Sequence, residues 1–402
     1  MTGRNTPIKF PFPDPPSLEH PGPELRMLAE DGSVVAAELP DGTAAWLVAG
    51  FEEVRQVALD PRFSRTAPLA APRTAQGEET FSAGSINGAG PPMHPRLRKL
   101  LASTFTARRV EELRPRVTGI VDELIQGIRA RPRPVDLVSA FSLPLPLRVI
   151  CEMLGVPLAD LEQLHTWSDA VMGTQARQQE SMAALIAIYG YFAKLIELKR
   201  SQPADDLMSA LIAARDETGG LSEEELVMLG GTLVIGGHET TVSQINLSLV
   251  ALFTHPGELA RLRAEPELIP GAVEELMRYV RLSSGVPPAR VTTEEVRLGG
   301  VTIPAGEVVL PFFYAANHDP SAFADPDQLD LSRAPCNHLG FGVGLHHCLG
   351  AQLARMELQE AYRGLLGQLP GLRLAVSVDE LRLKPNMSIV NLCELPITWD
   401  ET

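Results

Sequence analysis

Between Ser222 and Thr254 the chain runs for about thirty residues with few polar interruptions, enough for roughly 45 Å of helix at 1.5 Å per residue. No other feature restricts the fold as much. An apolar rod of that length either spans a membrane or is enclosed by protein on every side. Its start is marked, because Ser222 followed three residues later by Glu225 has the pattern of a capping box. Glu239, Gln244 and Asn246 stand in mid-run with His238 beside them, and such groups are costly in hydrocarbon. The pattern therefore predicts a central buried helix.

That helix contains Gly236-Gly237-His238-Glu239-Thr240-Thr241, an odd segment to bury. Each glycine costs about 1 kcal/mol of helix stability, so the pair predicts the close passage of something bulky. Thr240 can exchange its normal helical bonding for a local kink. A packing kink without chemistry is the plainer alternative.

Downstream, Phe341-Gly342-Val343-Gly344-Leu345-His346-His347-Cys348-Leu349-Gly350 leads into a helix-like run from Leu349 to Leu366. Glycines at 342 and 344 permit tight turns whose N–H groups can point at a sulfur. The positive end of the following helix favours a thiolate at Cys348. Gly350, lacking a side chain, lets a flat macrocycle approach, Phe341 can shield the sulfur, and His346 can meet a carboxylate on the cofactor edge. The arrangement suits one thiolate presented to haem iron, a ligand choice that favours O–O cleavage. Zinc is the obvious rival, since Cys336, His338, His346, His347 and Cys348 are close in sequence. Zinc sites, however, usually pair ligands in two clusters, and the second cluster is missing. A Cys–His nucleophile pair fails because chain neighbours rarely face each other, and no Gly-Lys-Ser/Thr phosphate loop is present.

Taken together these windows resemble the cytochrome P-450 superfamily, in order and spacing, over nearly the whole chain. The resemblance implies a mainly α fold with a smaller β-rich lobe and a long central helix over haem b. It makes Cys348 the axial ligand and places Phe341, Gly342, Gly350 and Gly237 against the cofactor. Thr240 would hydrogen-bond bound dioxygen or its water, and Glu239 would link it to solvent protons. Haem propionates need cations: His94 and Arg98 lie four apart at a helix start, Arg290 follows Pro287-Pro288-Ala289, and His346 makes a fourth. Pro95 departs from the commoner small polar residue after the histidine, although proline suits a first helical turn. Glu275 and Arg278 match the family's helix pair, with Arg333 of the later meander as third member of a structural triad. By spacing alone the pair means little, since Glu111 and Arg114, or Glu258 and Arg261, repeat it.

The resemblance further implies a monooxygenase using O2 and electrons from a ferredoxin and its reductase, docking near the Cys348 face where Arg355 could meet it. The substrate would be an apolar secondary metabolite such as a polyketide or macrolide, terpenoid or peptide, lying among Phe81, Ile86, Val234, Leu282, Val286 and Ile389. Coupling or peroxide-driven chemistry is the variant within the class. A non-catalytic gas sensor is the rival outside it, disfavoured because it would not need the Glu239-Thr240 pair.

Composition narrows the setting. A net charge of −15 argues against nucleic acid or an anionic membrane surface as partner. Residues 1–23 are polar and proline-rich with no apolar anchor, and four scattered cysteines make no disulfide framework. A soluble, cytoplasmic, monomeric bacterial enzyme is expected. Motifs spread from position 94 to 350 must converge on one cofactor, which favours a single domain over 1–402. The periodicity predicts helix from about Pro23, a hairpin at Val34–Val48, helix at Phe51–Leu59, a loop at 66–92, helices over 94–281, strands at Val291–Phe313 and short strands at Leu381–Trp399.

Overall fold

The computed structural model describes residues 7–12, 18, 28, 32–66, 86, 88–102, 105–173, 177–218, 220–283 and 287–401. Its helices in chain order are α1 (Phe51–Leu59), α2 (Met93–Ala102), α3 (Ala107–Arg129), α4 (Pro144–Leu154), α5 (Leu161–Val171), α6 (Gln178–Ser201), α7 (Leu207–Thr218), α8 (Glu223–Thr254), α9 (Pro256–Ala264), α10 (Ile269–Tyr279), α11 (Phe313–Ala316) and α12 (Ala351–Gln368). The apolar run is α8, an unbroken helix of 32 residues. Its capping box is formed: the Ser222 hydroxyl accepts from the Glu225 N–H at 3.1 Å, while the Ser222 N–H donates to Glu225 Oε2 at 2.8 Å. Helices α4, α5, α6, α7, α9, α10 and α12 pack around it. Gln244 in the run finds partners inside the protein, its Nε2 donating to Ser248 Oγ at 3.0 Å and to the Leu276 carbonyl at 3.2 Å, while both side-chain polar atoms of Asn246 are buried without a hydrogen bond. Helix α6 also has the length and hydropathy of a membrane span. Its Leu185, Ile188, Phe192, Leu195 and Ile196 are nonetheless buried within the protein core.

A smaller β part stands beside the helices. The strands are β1 (Ile8–Lys9), β2 (Val34–Glu38), β3 (Ala44–Val48), β4 (Phe63–Ser64), β5 (Val135–Asp136), β6 (Arg290–Thr292), β7 (Val296–Leu298), β8 (Val301–Ile303), β9 (Val308–Pro311), β10 (Arg373–Leu374) and β11 (Pro396–Thr398). They form sheets ordered β1-β2-β3-β9-β6-β4, β10-β11-β5 and β7-β8. The hairpin pairs Val34 with Val48 through Glu38 with Ala44, as the alternating pattern predicts. Three boundaries differ from the sequence reading. The strand region ends at Pro311, and Phe313 opens α11, because Phe312 turns the chain with its N–H still held by the Val48 carbonyl. The last helix begins at Ala351 rather than Leu349, since Cys348 to Gly350 form a turn. Between 381 and 399 the regular strand is β11, preceded by an isolated Leu383–Leu392 bridge. The helix expected from Pro23 and most of the 66–92 loop lie outside the described residues.

The Glu275 triad ties α10 to the meander. Arg278 donates from Nε and Nη2 to Glu275 at 2.7 and 2.8 Å, and Arg333 Nε donates to Oε2 at 3.1 Å. Arg278 is fully buried; its Nη1 also donates to the Asn317 and Pro326 carbonyls, both at 2.8 Å. A buried pair of this kind adds little net stability, but removing one partner strands a charge. Its service is to fix the chain that leads into the Cys348 loop.

A second buried carboxyl has no such partner. Glu357 on α12 is enclosed, one oxygen lacks a hydrogen bond, and burial pushes its pKa up to about 8. A carboxyl raised in the folded state costs nothing below its unfolded pKa, and its penalty grows as pH rises toward the folded value. Glu357→Gln should therefore raise stability at pH 7.5 by on the order of 1–3 kcal/mol and leave it nearly unchanged at pH 4.5. Urea denaturation at the two pH values measures the difference.

Candidate active site

At the middle of α8 the covering gives way along one stripe. Leu233, Gly237 and Thr240 are partly exposed and Gly236 is exposed, while Val234, Ile235, His238, Glu239 and Thr241 are buried. Positions 233, 236, 237 and 240 share one helical face, so the open stripe is a single surface. A Cβ added at Gly236 would meet nothing within 4 Å, whereas one at Gly237 would lie 2.8 Å from Ile150 Cγ1 on α4. Gly237 thus has a packing reason that the sequence reading did not anticipate: it lets α8 and α4 approach. Gly236 is the glycine that leaves room. Helix α8 stays unbroken at Thr240, whose hydroxyl donates to the Gly236 carbonyl at 3.0 Å.

Glu239 points away from that stripe into a pocket of imidazoles. Its Oε1 lies 3.0 Å from His165 Nδ1 on α5 and 3.0 Å from His238 Nε2, and Oε2 accepts from Asn391 Nδ2 at 3.1 Å. Burial opposes ionisation, but the two imidazoles outweigh it and hold the carboxyl well below the usual range. Glu239 has no exposed surface of its own; the group that reaches outward is His165, 22% exposed.

The Cys348 loop is shaped by two glycines in the left-handed region, Gly342 at φ 68° and Gly344 at φ 74°, which only glycine adopts freely. The Cys348 N–H closes the loop on the Phe341 carbonyl at 2.8 Å. Burial raises the Cys348 thiol pKa, opposed by the Gly350 N–H and the charges of Arg98 and Arg355. The cysteine side chain is nonetheless exposed, so it is deep in the molecule and still accessible. A Cβ on Gly350 would meet nothing within 4 Å. Beside the loop the cations converge. The His94 and His346 rings pack edge to face at 4.4 Å, and His346 is driven to about 2 by burial and then by Arg65, His94, Arg290 and Arg98. Such a concentration of like charge beside an accessible thiol fits a dianionic, flat, sulfur-ligated group such as haem. Arg65 was not legible in the sequence, since no motif surrounds it; His165 and Asn391 were equally silent.

Other expectations meet mixed outcomes. Leu282 and Ile389 are brought together, with Ser283 bridging Ile389 and the Val390 N–H donating to the Leu282 carbonyl at 2.8 Å. Ile86 is buried in the main core. Val234 is fully buried off the open stripe and does not line it; Leu233 takes that place, because one residue turns the helix by about 100°. Phe81 and Val286 lie outside the described residues. Arg355, expected to meet an electron donor, is committed inside the protein: Nε and Nη2 donate to Glu274 at 2.7 and 2.9 Å, and the guanidinium stacks 4.3 Å over Phe341.

This geometry agrees with what the chain is similar to. The cytochrome P-450 family model matches residues 148–366. Nocardicin C N-oxygenase of Nocardia uniformis subsp. tsuyamanensis is 44% identical, over 97% of this chain and 98% of that protein. Mycinamicin IV hydroxylase/epoxidase of Micromonospora griseorubida is 43% identical, over 98% and 99%. The crystal structure of a cytochrome P-450 hydroxylase from the leinamycin pathway of Streptomyces atroolivaceus superposes with a TM-score of 0.89 at 40% identity, covering 98% of this chain and all of that one. The chain belongs to the cytochrome P-450 family. It is a monooxygenase of the bacterial type, with the family's haem–thiolate cofactor, O2 and an organic substrate, and it draws on external redox partners.

The two central glycines give opposite expectations. Gly236→Ala has space and gains helix propensity, so it should stabilise the fold by up to about 1 kcal/mol. Gly237→Ala must displace Ile150 and should cost about 1–3 kcal/mol. Thermal denaturation of both variants checks the pair.

Proposed function

We propose that the chain binds haem b with Cys348 as its axial thiolate and hydroxylates or epoxidises an apolar small molecule. The convergence of Arg65, His94, Arg98, Arg290 and His346 beside the Cys348 loop supports this most directly. Haem held by a thiolate supplies oxygen activation, because electron density from sulfur favours O–O cleavage. The protein residues position and protonate. The cation cluster takes the propionates through charge-assisted hydrogen bonds, Gly342 and Gly344 shape the loop, Phe341 covers the sulfur, and Gly350 leaves space for the ring. Gly236 and Thr240 stand on the open stripe of α8, where the Thr240 hydroxyl can turn from the Gly236 carbonyl to a reacting oxygen. Glu239, enclosed beside Thr240, links the open stripe to solvent protons through His165.

The substrate class follows from the relatives, which act on nocardicin C and on mycinamicin IV; a secondary metabolite of polyketide, macrolide, terpenoid or peptide type fits a site edged by Leu233, Leu282 and Ile389. A ferredoxin with its reductase supplies the electrons. The chain works in the cytoplasm as one domain and one copy.

The first test is the spectrum of the reduced protein with carbon monoxide: a long-wavelength Soret band typical of thiolate ligation is expected, and Cys348→Ala should abolish it. An unchanged band in that variant would remove Cys348 from the site. Thr240→Ala should keep the band but divert electrons to hydrogen peroxide, with product per electron pair falling roughly tenfold or more. Oxygen consumption, peroxide and product measured together decide it.

A further inference from the structure

We propose that His165, His238 and Glu239 form a binding site for a divalent transition-metal ion of the zinc class, and that occupancy inhibits the enzyme. The argument begins with tautomers. His238 Nδ1 lies 2.9 Å from the Val234 carbonyl; a carbonyl only accepts, so Nδ1 carries the hydrogen. In a neutral ring the lone pair is then on Nε2, which stands 3.0 Å from Glu239 Oε1. His165 Nδ1 reaches the same oxygen at 3.0 Å from another helix. All three atoms are buried and none makes an aligned hydrogen bond. His165 can meet the carboxylate as a neutral Nδ1–H donor, but His238, whose hydrogen is on Nδ1, can do so only with a second proton or an ion at Nε2. A metal ion among the three donors serves both contacts with both rings neutral.

The dimensions suit such an ion. Three ligand atoms, one from each residue, lie within 4.8 Å of one another. Zinc bonds of about 2.0–2.2 Å in a tetrahedron put neighbouring donors roughly 3.3–3.6 Å apart, so the two Glu239 contacts need to widen by about 0.3–0.6 Å. Two imidazoles and one carboxylate select zinc, copper, nickel or cobalt over magnesium or calcium. The supports outside the ligands are also in place, since the Val234 carbonyl orients His238 and Asn391 Nδ2 fixes the other oxygen of Glu239. Entry is provided by a groove lined by His165, Trp167, Asp169, Arg177 and Lys384. The two carboxylates in that groove are already paired, Asp169 with Lys384 at 2.6 Å and Arg177 at 3.7 Å, and Glu180 with Arg177 at 3.1 Å. The inhibition rests on the proton-transfer role proposed for Glu239; the binding does not.

The test is equilibrium dialysis of the holoenzyme against zinc chloride, followed by turnover in the same zinc concentrations. One zinc per chain is expected, weakened at least tenfold in His165→Ala and in Glu239→Gln and unaffected in His255→Ala, a control on α9's cap. Zinc-edge anomalous diffraction from the wild type should place the ion between α5 and α8, which keeps the test independent of how the variants fold. No stoichiometric site, or one indifferent to His165→Ala and Glu239→Gln, overturns the metal site. Binding at that position without loss of turnover leaves the site standing and overturns the inhibition, and with it the proton role given to Glu239.

Discussion

A 32-residue apolar helix can cross the centre of a globular fold only if other elements cover nearly all of it, and the surrounding architecture answers that requirement. Seven of the described helices pack on α8. The covering fails at one stripe, and the residues there are small: Gly236, Gly237 and Thr240 follow Leu233. Hydrophobic burial, which is non-directional, thereby leaves one local, directional surface in an otherwise closed interior. The family's chemistry is placed where the packing rule is relaxed.

Buried charge is the second constraint, and it is handled in two ways. Glu239 and Glu275 are each enclosed and each held by cationic or potentially cationic neighbours, so their ionised forms are compensated locally. The group around His346 is different in kind, because burial and like charge act in the same direction. Concentrated positive charge inside a protein is tolerable when an anionic ligand is part of the folded unit. The triad closes within the protein, whereas the cluster gathers Arg65, His94, Arg98 and Arg290 around His346, beside the Cys348 loop.

Much of this was legible beforehand. The capping box at Ser222, the hairpin at 34–48, α1 at Phe51–Leu59 and the Glu275–Arg278–Arg333 triad are set by local spacing or by motif, and all have the expected geometry. Gly237 shows the limit of such reading. Two adjacent glycines look equivalent in a sequence, yet a helical turn of about 100° sends one toward open space and the other against Ile150. Val234 is turned off the open stripe for the same reason. Arg355 looked like a surface cation because nothing in the sequence announces Glu274 as its partner.

The sequence by itself determined the elements, the thiolate loop and the family, because capping, turn formation and ligand spacing act over a few residues and leave a local trace. Tertiary structure alone decided which groups meet: Arg65 joining the cations around His346, His165 reaching Glu239 from α5, and Asn391 holding its other oxygen. Those contacts join residues far apart in the chain, and their identity depends on how helices pack. Packing depends on the shapes of many side chains at once, so no short segment of sequence encodes it.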